Sequence, residues 1–444
     1  MPDNGHAPIK ILGLRQGIGI VVADMIGAGV FLSAGFMAQD MGPGALLLAW
    51  LVGAAIALAG ARTYAAVAAI VPRSGGEYRY LSDLLHPALG YLAGWASLLL
   101  GFSTPVAVDA LAIGAFARTL HSGLPVRAIA LASIVLLTAL HALDLRASKW
   151  TQDLLVWIKV ALVVGFIALG LIAGHNQWPT WQPPGASSSF PLAAFMSSLF
   201  FIAFAFAGWN AAVYAADEFK QPARDVPRSM FVGCGLVAGL YLLVNWIFVA
   251  NLTPERASVV FKYDETRITL GHLITQDLIG TSGGAVMSVF TIIAFLSAMS
   301  AMMMIGPRVY AAMARDGFLP RIFADRAGRP PIGSVLLQGG LAALLVFTQE
   351  LQQVLTTVGA ILTLFSALVA VALFRVRFSN RPGPRPPLDA LAAAAIYIAS
   401  AAWMLYFGFR NSTGLIFWIG GVAIVGLAAY AATRRWGHQP PPAA

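Results

Sequence analysis

The chain has 444 residues, 59% of them hydrophobic and only 11% charged, with a mean hydropathy of +0.77. Soluble domains carry roughly a quarter of their residues as Asp, Glu, Lys and Arg, so no aqueous fold could hide this much apolar surface, and the bilayer is the expected solvent. The net charge of +9 comes without a basic patch interleaved with aromatics, which argues against a nucleic-acid partner and leaves membrane topology as its explanation.

The first ten residues are polar, and the run after them is too long for a cleavable signal peptide. Apolar runs then predict twelve membrane helices, near 14–39, 44–70, 87–117, 125–143, 152–174, 190–216, 228–250, 283–314, 333–348, 354–374, 388–408 and 413–433. The ninth is short. The expected fold is an all-α membrane protein forming one domain over residues 1–444. With the N-terminus inside, the inner loops collect Lys10, Arg15, Arg73, Arg79, Arg146, Lys149, Lys220, Arg224, Arg228 and the later Arg315, Arg321, Arg326, Arg329, Arg375, Arg377, Arg381, Arg385, Arg434 and Arg435. The outer loops keep only Arg118, Arg127, Arg256, Lys262, Arg267 and Arg410. That bias predicts a multi-pass protein of the cell membrane with both termini cytoplasmic.

The longest outer segment, about 251–282, reads as a polar loop of mixed charge. RPGPRPP at 381–387 reads as a stiff inner linker, and the tail HQPPPAA as a disordered end. Cys234 is the single cysteine, so neither an intrachain disulfide, a thiol metal cluster nor a disulfide-linked accessory subunit is expected.

Two spans carry an interruption. The first contains IGIVVADMIGAGVF, with Gly27, Gly29 and the acid Asp24; the sixth contains AFAGWNAAVY, with Gly208 beside Trp209 and Asn210. Each opens a set of five spans, about 14–174 and about 190–374, with two further helices at about 388–433. Interrupted spans at matching places in two halves point to an inverted-repeat transporter. Irregular backbone at membrane depth is tolerated only where it is buried or lines a cavity. A helix starting near Gly27–Gly29 aims unpaired amides and a positive dipole end at the gap, a seat for a carboxylate. Carbonyls freed at the other ends suit an ammonium group, and an amino acid presents both charges.

Four stretches resemble the amino acid–polyamine–organocation superfamily, and within it the L-type amino acid transporters and their bacterial relatives. They are GIGIVVADMIGAGVF, VPRSGGEYRYL, FAFAGWNAAVYAADEFKQPARDVPRS and GPRVYAAMARDGFLP, in that order over about the first 320 residues. The resemblance implies five helices, an inverted copy and two more, working by alternating access between the first and sixth helices. It implies that backbone at Met25, Gly27, Ala28 and Gly29 holds the substrate, its carboxylate facing the Gly27–Gly29 amides. Its ammonium would meet carbonyls near Met25, Phe204 and Ala207. Phe204 and Phe206 would serve as an aromatic gate and Asn210 as a polar contact. Ala28 stands where the family usually has Ser or Thr, and Ala207 where the large-neutral relatives have Gly; the added methyl narrows the pocket and disfavours bulky side chains.

Ionisable residues inside spans are functional candidates by default. In relatives a lysine at the place of Lys159 stands in for sodium; here it would brace the first helix against the fifth and, if its pKa falls, carry a proton. Asp24 would pair with Lys159 or meet the positive end of a cationic substrate. Asp109, placed toward the outer half of the third span, would line a vestibule, bind a distal amine or pair structurally. Arg62 and Arg308 read as structural anchors, and Asp217 and Glu218 as a solvated cluster touching residues 71–80.

The resulting expectation is a sodium-independent amino acid permease, proton-coupled or an exchanger. The alternative is a carrier of cationic amino acids or polyamines, motivated by Asp24 and Asp109. The seven histidines are scattered, without HExxH or paired-carboxylate spacing, so neither an enzyme, a metal site nor a cofactor is expected.

Overall fold

The computed structural model describes residues 10, 12–143, 145–185, 189–324, 331–348, 351–379, 385–411 and 413–435. Arg326, Arg329, Arg381, the start of the RPGPRPP linker and the tail from 436 lie outside the described residues, as do the side chains of Arg146, Lys149, Arg434 and Arg435.

The first predicted span is two helices, α1 (Leu14–Met25) and α2 (Ala28–Ala38), and α3 (Pro43–Ile70) follows. A short, largely buried helix, α4 (Gly76–Leu84), leads to α5 (Pro87–Ala96) and α6 (Thr104–Leu120), joined through a π-helical turn, Ser97–Ser103. Pro105 has no N–H to give the preceding turn, and Thr104 Oγ1 donates to the Leu99 carbonyl at 2.7 Å, so the ladder widens there. Next come α7 (Val126–Leu143), α8 (Leu145–Ala173), α9 (Leu192–Ala205), the single turn α10 (Ala211–Tyr214) and α11 (Pro222–Asn251).

The segment 251–282 is not a loop. It folds into α12 (Pro254–Lys262), α13 (Asp264–Ile268) and α14 (Leu270–Ile279). Pro254 and the Thr253 hydroxyl, which accepts from the Arg256 amide, start the first of these. The chain ends with α15 (Thr281–Arg315), α16 (Ile332–Leu345), α17 (Leu351–Phe378), α18 (Leu388–Asn411) and α19 (Thr413–Arg435). All twelve predicted runs are helical, and the ninth is separate from the tenth. Among the described residues, eight spans are long and apolar enough to cross a membrane on their own; the helices at Val126–Ala142, Leu192–Ala205, Ile332–Leu345 and Ile419–Thr433 are apolar but shorter.

Burial ranks these helices. In the first span 94% of the most apolar stretch is covered by protein, against 28% for Leu154–Ala173. The broken helix is therefore the core of the bundle, while α8 shows much of its apolar surface to the surroundings. The two breaks touch: a Cβ on Gly29 would sit 2.4 Å from Ala205 Cα, at the end of α9.

One end of the bundle is tied shut where α1 begins. Leu12 pairs with the strand-like turn after α10, its amide donating to the Glu218 carbonyl and its carbonyl accepting from Lys220, both at 2.9 Å. Arg308 of α15 pairs with Glu218 at 2.6 Å, and the Asp217 amide donates to Ser74 Oγ at 2.9 Å. Glu218 is thus not part of a solvated cluster, because an arginine from another helix holds it. Beside it Arg79 meets Asp316 at 2.7 Å, and Tyr78 donates to the same carboxylate at 2.5 Å. Burial, and then the Asp316 charge, push the Tyr78 phenol well above its ordinary value, so it stays a donor. Arg62 pairs with Asp389 at 2.6 Å, joining α3 to α18.

A methyl group at Gly29 has to displace backbone, whereas one at Gly165 of α8 meets nothing within 4 Å. Gly29→Ala is therefore expected to destabilise by about 1–3 kcal/mol, as overpacking does, and Gly165→Ala to leave stability unchanged or slightly raised. Thermal unfolding of the two purified variants beside the wild type checks both.

Candidate functional site

The site is built from the two breaks. Helix α1 stops at Met25; Ile26 leaves helical geometry at φ −78°, ψ 88°, and Gly27 is extended at φ −131°, ψ −156° before α2 begins. In the sixth span, α9 stops at Ala205 and the chain turns through Gly208, whose φ of +104° disfavours any residue with a side chain. A Cβ there would also lie 2.7 Å from Asp24 Oδ2, so this glycine lets the acid of the first break approach the second.

Groups exposed by the first break are taken up by three other helices. Lys159 Nζ, fully buried on α8, donates to the Ala23 carbonyl at 2.7 Å and the Ile26 carbonyl at 2.6 Å. Tyr241 Oη, on α11, lies 2.5 Å from the Met25 carbonyl and 3.0 Å from the Ala205 carbonyl. Its single proton is shared between the two breaks. Asp109 Oδ1, on α6, accepts from the Ala28 amide at 2.8 Å.

These contacts correct three expectations. Among the described residues Lys159 forms no ion pair with Asp24, because carbonyls at the end of α1 are nearer and a lysine has three protons to place. Asp109 does not line an outer vestibule. It is level with the break and 2% exposed, and both its oxygens are 3.4 Å from where a Gly27 Cβ would stand. The amide seat at the start of α2 is accordingly not bare: the protein's own carboxylate rests on it.

The other named residues divide between the two breaks. Gly27 donates to the Met25 carbonyl at 2.9 Å, and the Phe204 carbonyl accepts from Ala207 at 3.0 Å. Phe206 is packed against Trp50 and Tyr241, with ring centroids 6.2 and 5.1 Å away. Ala207, Phe206 and Asn210 line a cavity that Asp24 also faces; Phe204 does not. The cavity, of about 70 Å³, has room for several water molecules.

Its far wall holds a residue that the sequence pattern did not single out. Glu77 of α4, 6% exposed, accepts from Tyr64 at 2.8 Å, Asn210 at 2.5 Å and Tyr214 at 2.7 Å. The role of Tyr241 was equally unexpected. Both had a signal: a tyrosine deep in an apolar run needs a partner for its hydroxyl, and Glu77 sits in a glycine-marked motif directly after a span.

Two interrupted helices in contact, with a cavity at the seam and buried charges around it, define a membrane carrier. The chain belongs to the amino acid permease family, whose model matches residues 12–429. It is similar to the large neutral amino acids transporter small subunit 2 of Mus musculus, 26% identical over 98% of this chain and 83% of the relative. The Asc-type amino acid transporter 1 of Mus musculus is 24% identical over 97% and 85%, and the b(0,+)-type amino acid transporter 1 of Oryctolagus cuniculus 23% over 85% and 78%.

Tyr241→Phe removes a hydroxyl that bonds both breaks while keeping the ring. It is expected to cost about 1–3 kcal/mol by leaving a buried carbonyl short of its partner and to slow transport. Thermal stability and liposome uptake of the variant measure the two effects.

Proposed function

We propose that this protein is a sodium-independent secondary carrier of the amino acid class, working by alternating access across the cell membrane. The observation that carries this reading is Lys159, whose ammonium bonds the Ala23 and Ile26 carbonyls at the end of α1. A fixed cation on those carbonyls does the work of a bound metal ion: it neutralises the negative end of the half-helix and ties it to α8. A site already holding a covalent cation has no need of sodium there. The sequence pattern supports twelve spans, two inverted sets of five and two added helices, with both termini cytoplasmic.

The substrate's amino group would lie between the Met25, Phe204 and Ala207 carbonyls, and Phe206 and Asn210 would flank it. That Phe206 lines the cavity and packs on Tyr241 supports a gate role for it. Ala207 on the cavity wall favours small or medium side chains. Coupling to protons, or exchange of one substrate for another, supplies the driving force. Cys234 is buried in α11, so an accessory subunit would have to associate without a disulfide through it.

Uptake of labelled amino acids into proteoliposomes tests the reading. Replacing sodium by choline is expected to leave the rate unchanged, and Lys159→Met to lower it by at least tenfold. Transport that needs external sodium in the wild type would overturn it.

A further inference from the structure

The helix start that an amino acid's carboxylate needs is already in use, and that fixes what else must bind with it, an inference that rests on the seam being the substrate site. Asp109 Oδ1 accepts from the Ala28 amide at 2.8 Å, and both its oxygens stand 3.4 Å from the position of a Gly27 Cβ. Asp109 is 2% exposed, and among the described residues its Oδ2 has no hydrogen-bond partner. The carboxylate lies across the opening of α2, with one oxygen on the amide and the other without a donor.

A substrate carboxylate brought to this helix start meets Asp109 at close to hydrogen-bonding distance. Moving it to the next amides, Gly29 or Val30, keeps it in the same turn. Two carboxylates about 3 Å apart in a buried site cannot both be ionised, and among the described residues no neighbour relieves them. Ala28 carries no hydroxyl. Lys159 of α8 is held on the Ala23 and Ile26 carbonyls, and the Tyr241 hydroxyl of α11 on those of Met25 and Ala205. Asp24 of α1 adds a further negative group. Ala298 of α15 lies beside Gly27, and His141 of α7 is engaged with Ser300. Arg118, on α6 itself, is more than two turns away and paired with Glu265.

We propose that Asp109 and the substrate's carboxylate share one proton at the start of α2, so that amino acid and proton bind as a unit. The proton is taken from solution. The Ala28 amide passes its hydrogen bond from Asp109 Oδ1 to a substrate oxygen, and Asp109, now protonated, donates its O–H to the substrate carboxylate. Release reverses both steps: the proton leaves with the amino acid, and ionised Asp109 returns to the Ala28 amide. Because the protein supplies a carboxylate of its own when the substrate has gone, the opening of α2 is satisfied in both conditions and the empty carrier can reorient. Asp109 thereby makes the carrier a proton symporter capable of net uptake, not an obligatory exchanger.

The test is calorimetric titration of the full-length protein with alanine, serine, valine and leucine in turn, in sodium-free solution at pH 8, in two buffers of different ionisation enthalpy. Uptake of about one proton per amino acid bound is expected, since one proton serves the two carboxylates. The complex holds the extra proton, so affinity falls as pH rises, by at most about tenfold per pH unit. Asp109→Asn keeps an oxygen for the Ala28 amide but cannot take the proton; it is expected to abolish proton uptake and flatten the pH profile, and Asp109→Glu to retain both. In liposomes an inward proton gradient is expected to raise wild-type accumulation of the bound amino acid at least fivefold and that of Asp109→Asn not at all. The wild-type proton count decides the matter even if a variant does not fold. Binding without proton uptake in the wild type, or unchanged uptake in Asp109→Asn, overturns the inference and leaves the carrier reading intact. No binding of any of the four, with no uptake of labelled amino acid in liposomes, overturns both.

Discussion

A backbone that leaves its helix inside an apolar core must find new partners for every carbonyl and amide it exposes, because water is not there to supply them. That requirement organises this structure. The first helix opens at Ile26 and Gly27, and three side chains from three different helices satisfy what it exposes: Lys159 from α8, Tyr241 from α11 and Asp109 from α6. Each is buried, so each is itself justified only by the break it serves. Remove the break and the lysine and the aspartate become unpaired charges in an apolar interior; remove them and the half-helices lose their termini. The break and its partners are a single unit, and the bundle is packed around it.

Electrostatics at the tied end follow a different rule. There the charges are only partly buried and meet in pairs: Arg308 with Glu218, Arg79 with Asp316, Arg62 with Asp389. Exposed pairs of this kind contribute modestly to stability, commonly less than about 1 kcal/mol each. They join α15 to the turn after α10, α4 to the end of α15, and α3 to α18, so they mark where separate elements can come apart at small energetic cost. The core around the breaks is packed more closely, with Gly29 against Ala205 backbone.

Much of this was legible in the sequence. Apolar runs located the helices to within a few residues, and the glycines at 27, 29 and 208 located both interruptions, because few other residues can occupy those positions. The resemblance put Asn210 and Ala207 at the substrate site, and both line the cavity. Partner choice was not legible. Lys159 and Asp24 look like an ion pair in one dimension, but a lysine can equally satisfy carbonyls, and only the orientation of α1 against α8 decides. Asp109 was placed too far out because nothing in a hydropathy pattern reports where another helix crosses its span, and here the Ala28 amide meets it. The segment 251–282 was read as a loop because its helices are short, below the length at which periodicity speaks.

Tyr241 holds two carbonyls with one hydrogen. If the halves of the seam slide, the hydroxyl can turn wholly toward Met25 or wholly toward Ala205, and whichever carbonyl it releases is one that had only part of a bond to lose. A lock with a proton for each side would resist separation at full strength until it failed. This one yields gradually in either direction and re-forms without waiting for a new donor. The joint between the two broken helices is thereby fastened at rest and soft to displacement, which is the mechanical property a reversible machine needs at its centre.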